Sequence, residues 1–450
     1  MSDLISERRR REVIDALRRG TVPQQGLDVL AVGLSRFESS LDEQLDVVAS
    51  SGAVFKAVRG EYGSGKTFFS RWLAERAKQR GFAVAEVQIS ETETPLHRLE
   101  TVYRRITESL STAEFRPSAL RSVLDSWIFT LEEDALAEGG VSETDETALT
   151  SAVDGLMERR LGEVARSAPQ LATALRAFRR ASAAGDNMIA EGIVAWLGAQ
   201  PHVSSAVKRF AGVKGDLDHF GAMSSLQGLL AVLKDSGQAG LLVVLDEVET
   251  LQRVRGDVRD KALNALRQLV DEIDAGRFPG LYLLITGTPA FYDGPQGMQR
   301  LAPLAQRLAS DFGTDPRFDT ARSPQLRLPG FTLESLGELG RKVRNLFVDG
   351  SEAADRVRAC VDDTYIEQLA SAVAGSLAGR VGVAPRVFLK KLVNDVLDRV
   401  DEHEDFDPRR DYKLTLSVNE LSDVEQNAAA AAGTLHVPQA ASADDVNLDI

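Results

Sequence analysis

The chain has 450 residues, 43% hydrophobic and 27% charged, with a formal charge of −14 from 53 basic and 67 acidic residues. This is a globular composition with room for two or three cores, and no apolar run reaches the roughly 18 residues a membrane-spanning helix needs. The single cysteine, Cys360, excludes an internal disulfide framework and a cysteine zinc cluster, while the acidic balance argues against indiscriminate nucleic-acid binding.

The N-terminal residues run into Arg8–Arg11 with no apolar stretch after the charges, so no secretory leader is expected, and a reducing cytoplasm fits. Residues 5–20 read as a helix with Ile5, Val13, Ile14 and Leu17 on one face. Its arginines, with Arg18 and Arg19, form either a local basic face or an ordinary solvated one. Thr21–Gly26 reads as a turn, and Leu41–Ala49 has helical spacing. Ala53–Val58 is a short apolar run ending at Arg59-Gly60, the pattern of a buried strand. A breaker-free helix over Thr67–Arg80 follows, then Gly81 and an alternating strand over Phe82–Ile89. Strand, loop, helix and strand in that order make a βαβ unit, which requires a parallel sheet.

From about 95 to 235 strand signals vanish. Leu120–Leu136, Ala152–Val164, Leu171–Phe178 and Leu226–Leu233 have helical periodicity, punctuated by Gly139-Gly140, Gly185-Asp186 and Gly198–Pro201. Leu241–Leu245 and Leu281–Ile285 are unbroken apolar strands separated by a helix over Lys261–Ile273, which again calls for a parallel sheet covered on both faces. Leu326–Leu328 is a short strand candidate. Leu333–Phe347, Tyr365–Leu377 and Pro385–Val400 predict a small helical unit, and Tyr412–Val418 an added strand. From about Asn427 the sequence holds little to bury, and a disordered tail is expected. No internal repeat is visible.

Two motifs carry chemistry. Gly60-Glu61-Tyr62-Gly63-Ser64-Gly65-Lys66-Thr67 matches G-x-x-x-x-G-K-[ST] without a gap, between a predicted strand and a predicted helix. ATP brings about four negative charges, which successive backbone N–H groups and a helix N-terminus can receive. Gly60, Gly63 and Gly65 permit the tight turn and the close approach of the backbone. Lys66 reaches the β- and γ-phosphates, and the Thr67 hydroxyl is a ligand for Mg²⁺. Downstream, Leu241–Leu245 runs directly into Asp246-Glu247. Two carboxylates at the end of a buried strand are expensive unless they serve a function. Asp246 is expected to hold the Mg²⁺ shell through water, and Glu247 to orient and polarise the attacking water. Transition-state charge then falls to Lys66, the metal and a cationic residue in trans.

Three further candidates are less sharply marked. Thr286, with Thr288 in reserve, ends the strand beside Asp246-Glu247 and is expected to hydrogen-bond the γ-phosphate or the lytic water. Gly382-Val383-Ala384-Pro385-Arg386 opens a helix with Pro at a favourable position, and Arg386 is the candidate sensor of the γ-phosphate from a second domain. Arg300, Arg307 and Arg322 are candidates for an arginine finger, with none standing out.

In that order and with a helical lid, these residues resemble the AAA+ branch of P-loop ATPases. A closer resemblance is to the BrxD family of ATP-binding proteins of BREX bacteriophage-exclusion systems. It is carried by Val22-Pro23, Gly26-Leu27, Ala31-Val32-Gly33, the run Phe55–Phe68 and Pro95-Leu96-His97, and spans about residues 10–400. It implies a cytoplasmic ATPase of an anti-phage defence system that uses ATP and Mg²⁺, with Phe68 joining Gly60–Thr67 in the nucleotide-binding set. Homo-oligomers, other defence proteins and DNA are the implied partners, with no membrane. About 180 residues separate Lys66 from Asp246, long for such a core, so the helical insertion is a place for a system-specific role.

The expected architecture is α/β: a P-loop NTPase (AAA+-like) parallel sheet with a large helical insertion and a helical C-terminal lid. Its parts are an N-terminal helical segment (1–52), an ATPase core (53–330, insertion about 100–225), a lid (331–402) and an extension with a disordered tail (403–450). An ATP-hydrolysing motor or remodeller is the leading function. A nucleotide-gated switch or scaffold with little turnover is the alternative, as is an origin-recognition-like DNA loader or regulator. The latter would need a DNA-binding domain, for which the roughly 50 residues past Val400 are short.

Overall fold

The structure is a computed structural model that describes residues 5–431 except 139–141, 143, 380, 381 and 383. Gly139-Gly140, Val383 and the tail beyond Ala431 lie outside the described residues.

Five strands form one all-parallel sheet: β1 (Val54–Arg59), β2 (Ala83–Gln88), β3 (Leu241–Asp246), β4 (Leu281–Gly287) and β5 (Gln325–Arg327). Their spatial order is β2-β3-β4-β1-β5. The parallel sheet expected from the unbroken apolar runs is therefore present. Every residue of β4 is buried, as are Leu241–Leu245 of β3, which is why these strands do not alternate. Leu241, Val243, Leu245, Leu281 and Leu283 join the large core under the helical region. Leu242, Val244, Tyr282 and Leu284 are buried as well, and the Tyr282 hydroxyl donates to Gln44 of the helix Ser35–Ala49 at 2.6 Å. Because neighbours are parallel and in register, with Val58 opposite Thr286, Arg59 opposite Gly287 and Gln88 opposite Asp246, the C-terminal strand ends share one edge.

Between β2 and β3 the described residues form eight helices, from Leu99–Ser109 to His219–Asp235. The predicted helix 152–164 is two, Glu146–Arg160 and Gly162–Ser167. The sequence reading assigns no individual helix to Asn187–Leu197 or Ser205–Ala211, although both carry N-caps: Asp186 accepts from the Ile189 N–H at 3.1 Å and Ser204 from that of Val207 at 3.3 Å.

The chain divides into two compact units, one comprising Phe37–Arg59 and Leu73–Arg327, the other Gly60–Trp72 with the described residues up to Arg36 and from Leu328 onward. The second unit has its own core, with Val13 and Leu17 of the helix Glu7–Arg18 among Leu336, Val343, Ile366, Phe388 and Val396. The predicted strand at Tyr412–Val418 does not form; that stretch lies between a short helix, Pro408–Asp411, and a 3₁₀ turn, Val418–Glu420. Its alternating Tyr412, Leu414 and Leu416 pack on the helical core instead, and Tyr412 donates its hydroxyl to Asp395 at 3.1 Å. The first residues of the predicted disordered tail, Asn427 onward, belong to a helix, Asp423–Ala431, anchored by the buried Ala429.

Candidate functional site

The loop Gly60–Gly65 follows β1 directly and opens the helix Lys66–Gln79. Gly63 and Gly65 have φ of +80° and +86°, the left-handed region that a Cβ disfavours. Gly60 is glycine for a different reason: a Cβ there would lie 2.2 Å from Ser64 Oγ. That hydroxyl belongs to a residue only 6% exposed and has no hydrogen-bond partner among the described residues. A buried hydroxyl without a partner costs about 1–3 kcal/mol, so its place in the loop asks for an acceptor or donor from outside the chain. Lys66 is 9% exposed. Its Nζ donates to the carbonyls of Gly60 (3.0 Å) and Glu61 (3.4 Å) and lies 5.1 Å from the centre of the Tyr62 ring. Tyr62 is exposed, Thr67 is half-buried at the first helical turn, and Phe68 packs beside Phe331 on the helical core. A loop with left-handed glycines, an orphaned buried hydroxyl and a buried lysine at a helix N-terminus fits the triphosphate of ATP.

The root of the loop is braced within the sheet unit. Arg59 is 7% exposed and ion-paired with Asp293, and its guanidinium carbon is 4.6 Å from the centre of the Phe312 ring. The Tyr292 hydroxyl donates to the Val58 carbonyl at 3.2 Å.

At the tips of β2, β3 and β4 the second group assembles. Thr286 is fully buried and donates its hydroxyl to the Asp246 carboxylate. The Glu247 N–H donates to Thr286 Oγ1 (3.2 Å) and Asp246 Oδ1 (3.1 Å). Glu247 itself has φ +61°, left-handed without being glycine, a strain of about 1–3 kcal/mol that concentrates at functional sites. Its carboxylate accepts from Gln88 Nε2 at 2.9 Å. Gln88 is absent from the sequence-based candidates. Its signal was a polar residue closing an apolar strand, but only the register opposite Asp246 gives that position meaning. Thr288 is buried two residues further on, just before the helix Pro289–Asp293, where its carbonyl accepts from the Phe291 N–H at 2.9 Å.

The remaining candidates are engaged elsewhere in this structure. Arg386, at the start of the helix Pro385–Lys390, forks onto Glu425 and donates to the Glu420 carbonyl at 2.7 Å. The hydrogen bond to Glu425 pushes its guanidinium above the ordinary value. Arg300 pairs with Asp260 at 2.6 Å, Arg307 with Asp271 at 2.6 Å and Asp274 at 3.1 Å, and Arg322 with Glu43 at 3.0 Å. The structure thus brings Asp246, Glu247 and Thr286 together in one unit, and gathers Gly60–Phe68 and Arg386 into the other. No helix among the described residues is long and apolar enough to cross a membrane.

Against known proteins, no curated protein and no solved structure matches the chain. The model of a protein family, described as BREX system ATP-binding protein BrxC/D, matches residues 5–416. That span takes in the loop Gly60–Gly65, all five strands and Arg386, so the chain belongs to the BREX system ATP-binding protein family BrxC/D.

Proposed function

We propose that the chain is an AAA+-like P-loop ATPase that binds Mg-ATP through Gly60–Phe68 and hydrolyses it as part of a BREX defence system in the cytoplasm. The observation that carries this reading is the loop itself: a buried lysine and an orphaned buried hydroxyl among left-handed glycines, between a buried parallel strand and a helix. A bound Mg²⁺, for which Thr67 and Asp246 are the proposed holders, would supply positive charge to the nucleotide's phosphates. Lys66 exchanges the carbonyls of Gly60 and Glu61 for phosphate oxygens. Thr67 offers its hydroxyl to the metal, and Asp246 orders the metal's water shell. Thr286 donates its hydroxyl to the Asp246 carboxylate and is the proposed contact for the γ-phosphate or the lytic water. Glu247 orients and polarises the attacking water, and Arg386 reads the γ-phosphate. Homo-oligomers, other defence proteins and DNA are the proposed partners.

A second reading is a nucleotide-gated switch with little turnover. It is favoured by the pairing of Arg300, Arg307 and Arg322 with carboxylates of their own unit, since an arginine finger contributes about 10³–10⁵ in rate. Steady-state hydrolysis of Mg-ATP by the purified protein, with and without double-stranded DNA and beside Glu247→Gln, separates the two. Turnover that the variant abolishes supports the ATPase, and DNA stimulation adds DNA as a partner. Tight binding with negligible turnover in every condition supports the switch. Absence of Mg-ATP binding overturns both.

A further inference from the structure

The C-terminal segment after the family-matched residues holds the one arginine that the ATPase reading assigns to the γ-phosphate. The match ends at residue 416. Beyond it come the 3₁₀ turn Val418–Glu420 and the helix Asp423–Ala431. From these, Glu425 accepts from Arg386 Nε at 3.0 Å and pairs with Nη2, and the Glu420 carbonyl takes Nη2 at 2.7 Å. A second tie joins Lys391 Nζ to Glu420 at 2.9 Å. The Glu425 side chain is 5% exposed and also accepts from the Ser422 N–H at 2.7 Å.

Four features distinguish this arrangement from a permanent part of the core. Among the segment's described side chains the buried apolar ones are Leu421 and Ala429, and few buried apolar contacts go with a low opening free energy. A buried carboxylate cannot stay behind when its guanidinium leaves, so Arg386 and the segment must part together. Lys391 also faces Asp395 at 3.2 Å, so opening does not strand its charge. A γ-phosphate carries more charge than one carboxylate and offers the same bidentate geometry to a guanidinium, so it can take Arg386 over.

We propose that residues 418–431 form an autoinhibitory latch that occupies Arg386 through Glu425 and Glu420, and that binding of the ATP γ-phosphate, through capture of Arg386, releases the segment. This rests on the assignment of Arg386 as the γ-phosphate sensor. In the latched protein only the fraction with a free Arg386 is competent, so loosening the latch raises the apparent affinity and rate by the inverse of that fraction.

The test uses the full chain with Glu425→Gln, which keeps shape and removes the charge, together with Arg386→Ala and the double variant. Steady-state Mg-ATP hydrolysis is expected to rise about threefold to tenfold in kcat/KM for Glu425→Gln, to fall for Arg386→Ala, and to stay low in the double variant. A correctly folded Glu425→Gln protein at or below the parent rate overturns the latch. An Arg386→Ala protein at the parent rate instead overturns the sensor assignment beneath it. Hydrogen exchange of the parent protein gives a readout independent of turnover and of the variants' stability. Mg-ATPγS is expected to speed exchange across 418–431, with Mg-ADP having no such effect; equal protection with ATPγS and without nucleotide overturns the latch.

Discussion

The glycine-rich loop Gly60–Gly65 and the strand-tip carboxylates handle charge in opposite ways. The loop is one continuous stretch, and its lysine is bonded to carbonyls five and six residues back in its own turn. The carboxylate corner draws on three strands, and each of its groups is held by a residue far away in sequence: Asp246 by Thr286, Glu247 by Thr286 and Gln88. On the proposed reading the loop is a device for binding whose partner comes from outside, and the corner is a preorganised site for the reaction. Substitutions in the loop should act on affinity, and those in the corner on rate at nearly constant affinity.

The largest expected effect breaks the loop. Lys66→Ala removes the only cation of the motif and should weaken Mg-ATP binding by at least about a hundredfold, to no saturable binding in a calorimetric titration. Retained affinity would show that backbone N–H groups alone suffice. Glu247→Gln comes next: kcat should fall by about 10²–10³ with the dissociation constant within a few-fold of the parent. A variant that loses affinity and keeps its rate would reverse the proposed division of labour.

Thr286→Val probes the link between the two carboxylates. The hydroxyl serves Asp246 and the Glu247 N–H at once, and its loss leaves both less satisfied at a stability cost of about 1–3 kcal/mol. We expect kcat to fall about tenfold with little change in affinity, and Thr286→Ser to restore most of it. Failure of Ser to rescue would mean that the methyl packing, not the hydroxyl, matters at this fully buried position.

How much of this was legible in the sequence follows the same contrast. Gly60–Thr67 and Asp246-Glu247 were readable because each is contiguous and flanked by elements with strong patterns. The parallel sheet was readable because β3 and β4 are unbroken apolar runs. Gln88 was not, because its meaning comes from register across a gap of about 160 residues. The engagement of Arg386 was also hidden: Glu425 lies in a polar, alanine-rich stretch with no visible reason to be buried. Tyr412–Val418 misled because alternation signals one buried face without saying whether a sheet edge or a helical surface receives it.

The smallest expected effect concerns Glu247's backbone, which no sequence pattern announces. A non-glycine residue at φ +61° is strained because its Cβ approaches the neighbouring carbonyl. If the corner stores that strain to aim the carboxylate, removing the Cβ should relieve it, while removing only the carboxylate should not. Glu247→Ala and Glu247→Gly both lose the carboxylate and the bond to Gln88, so their difference isolates the backbone. The glycine variant should be the more stable by about 1 kcal/mol in urea unfolding, after its own greater unfolded-state entropy is set against the relief. Both should be inactive. Equal midpoints, or a more stable alanine variant, would mean that the left-handed turn is relaxed and that the aim of Glu247 comes from Thr286 and Gln88 alone.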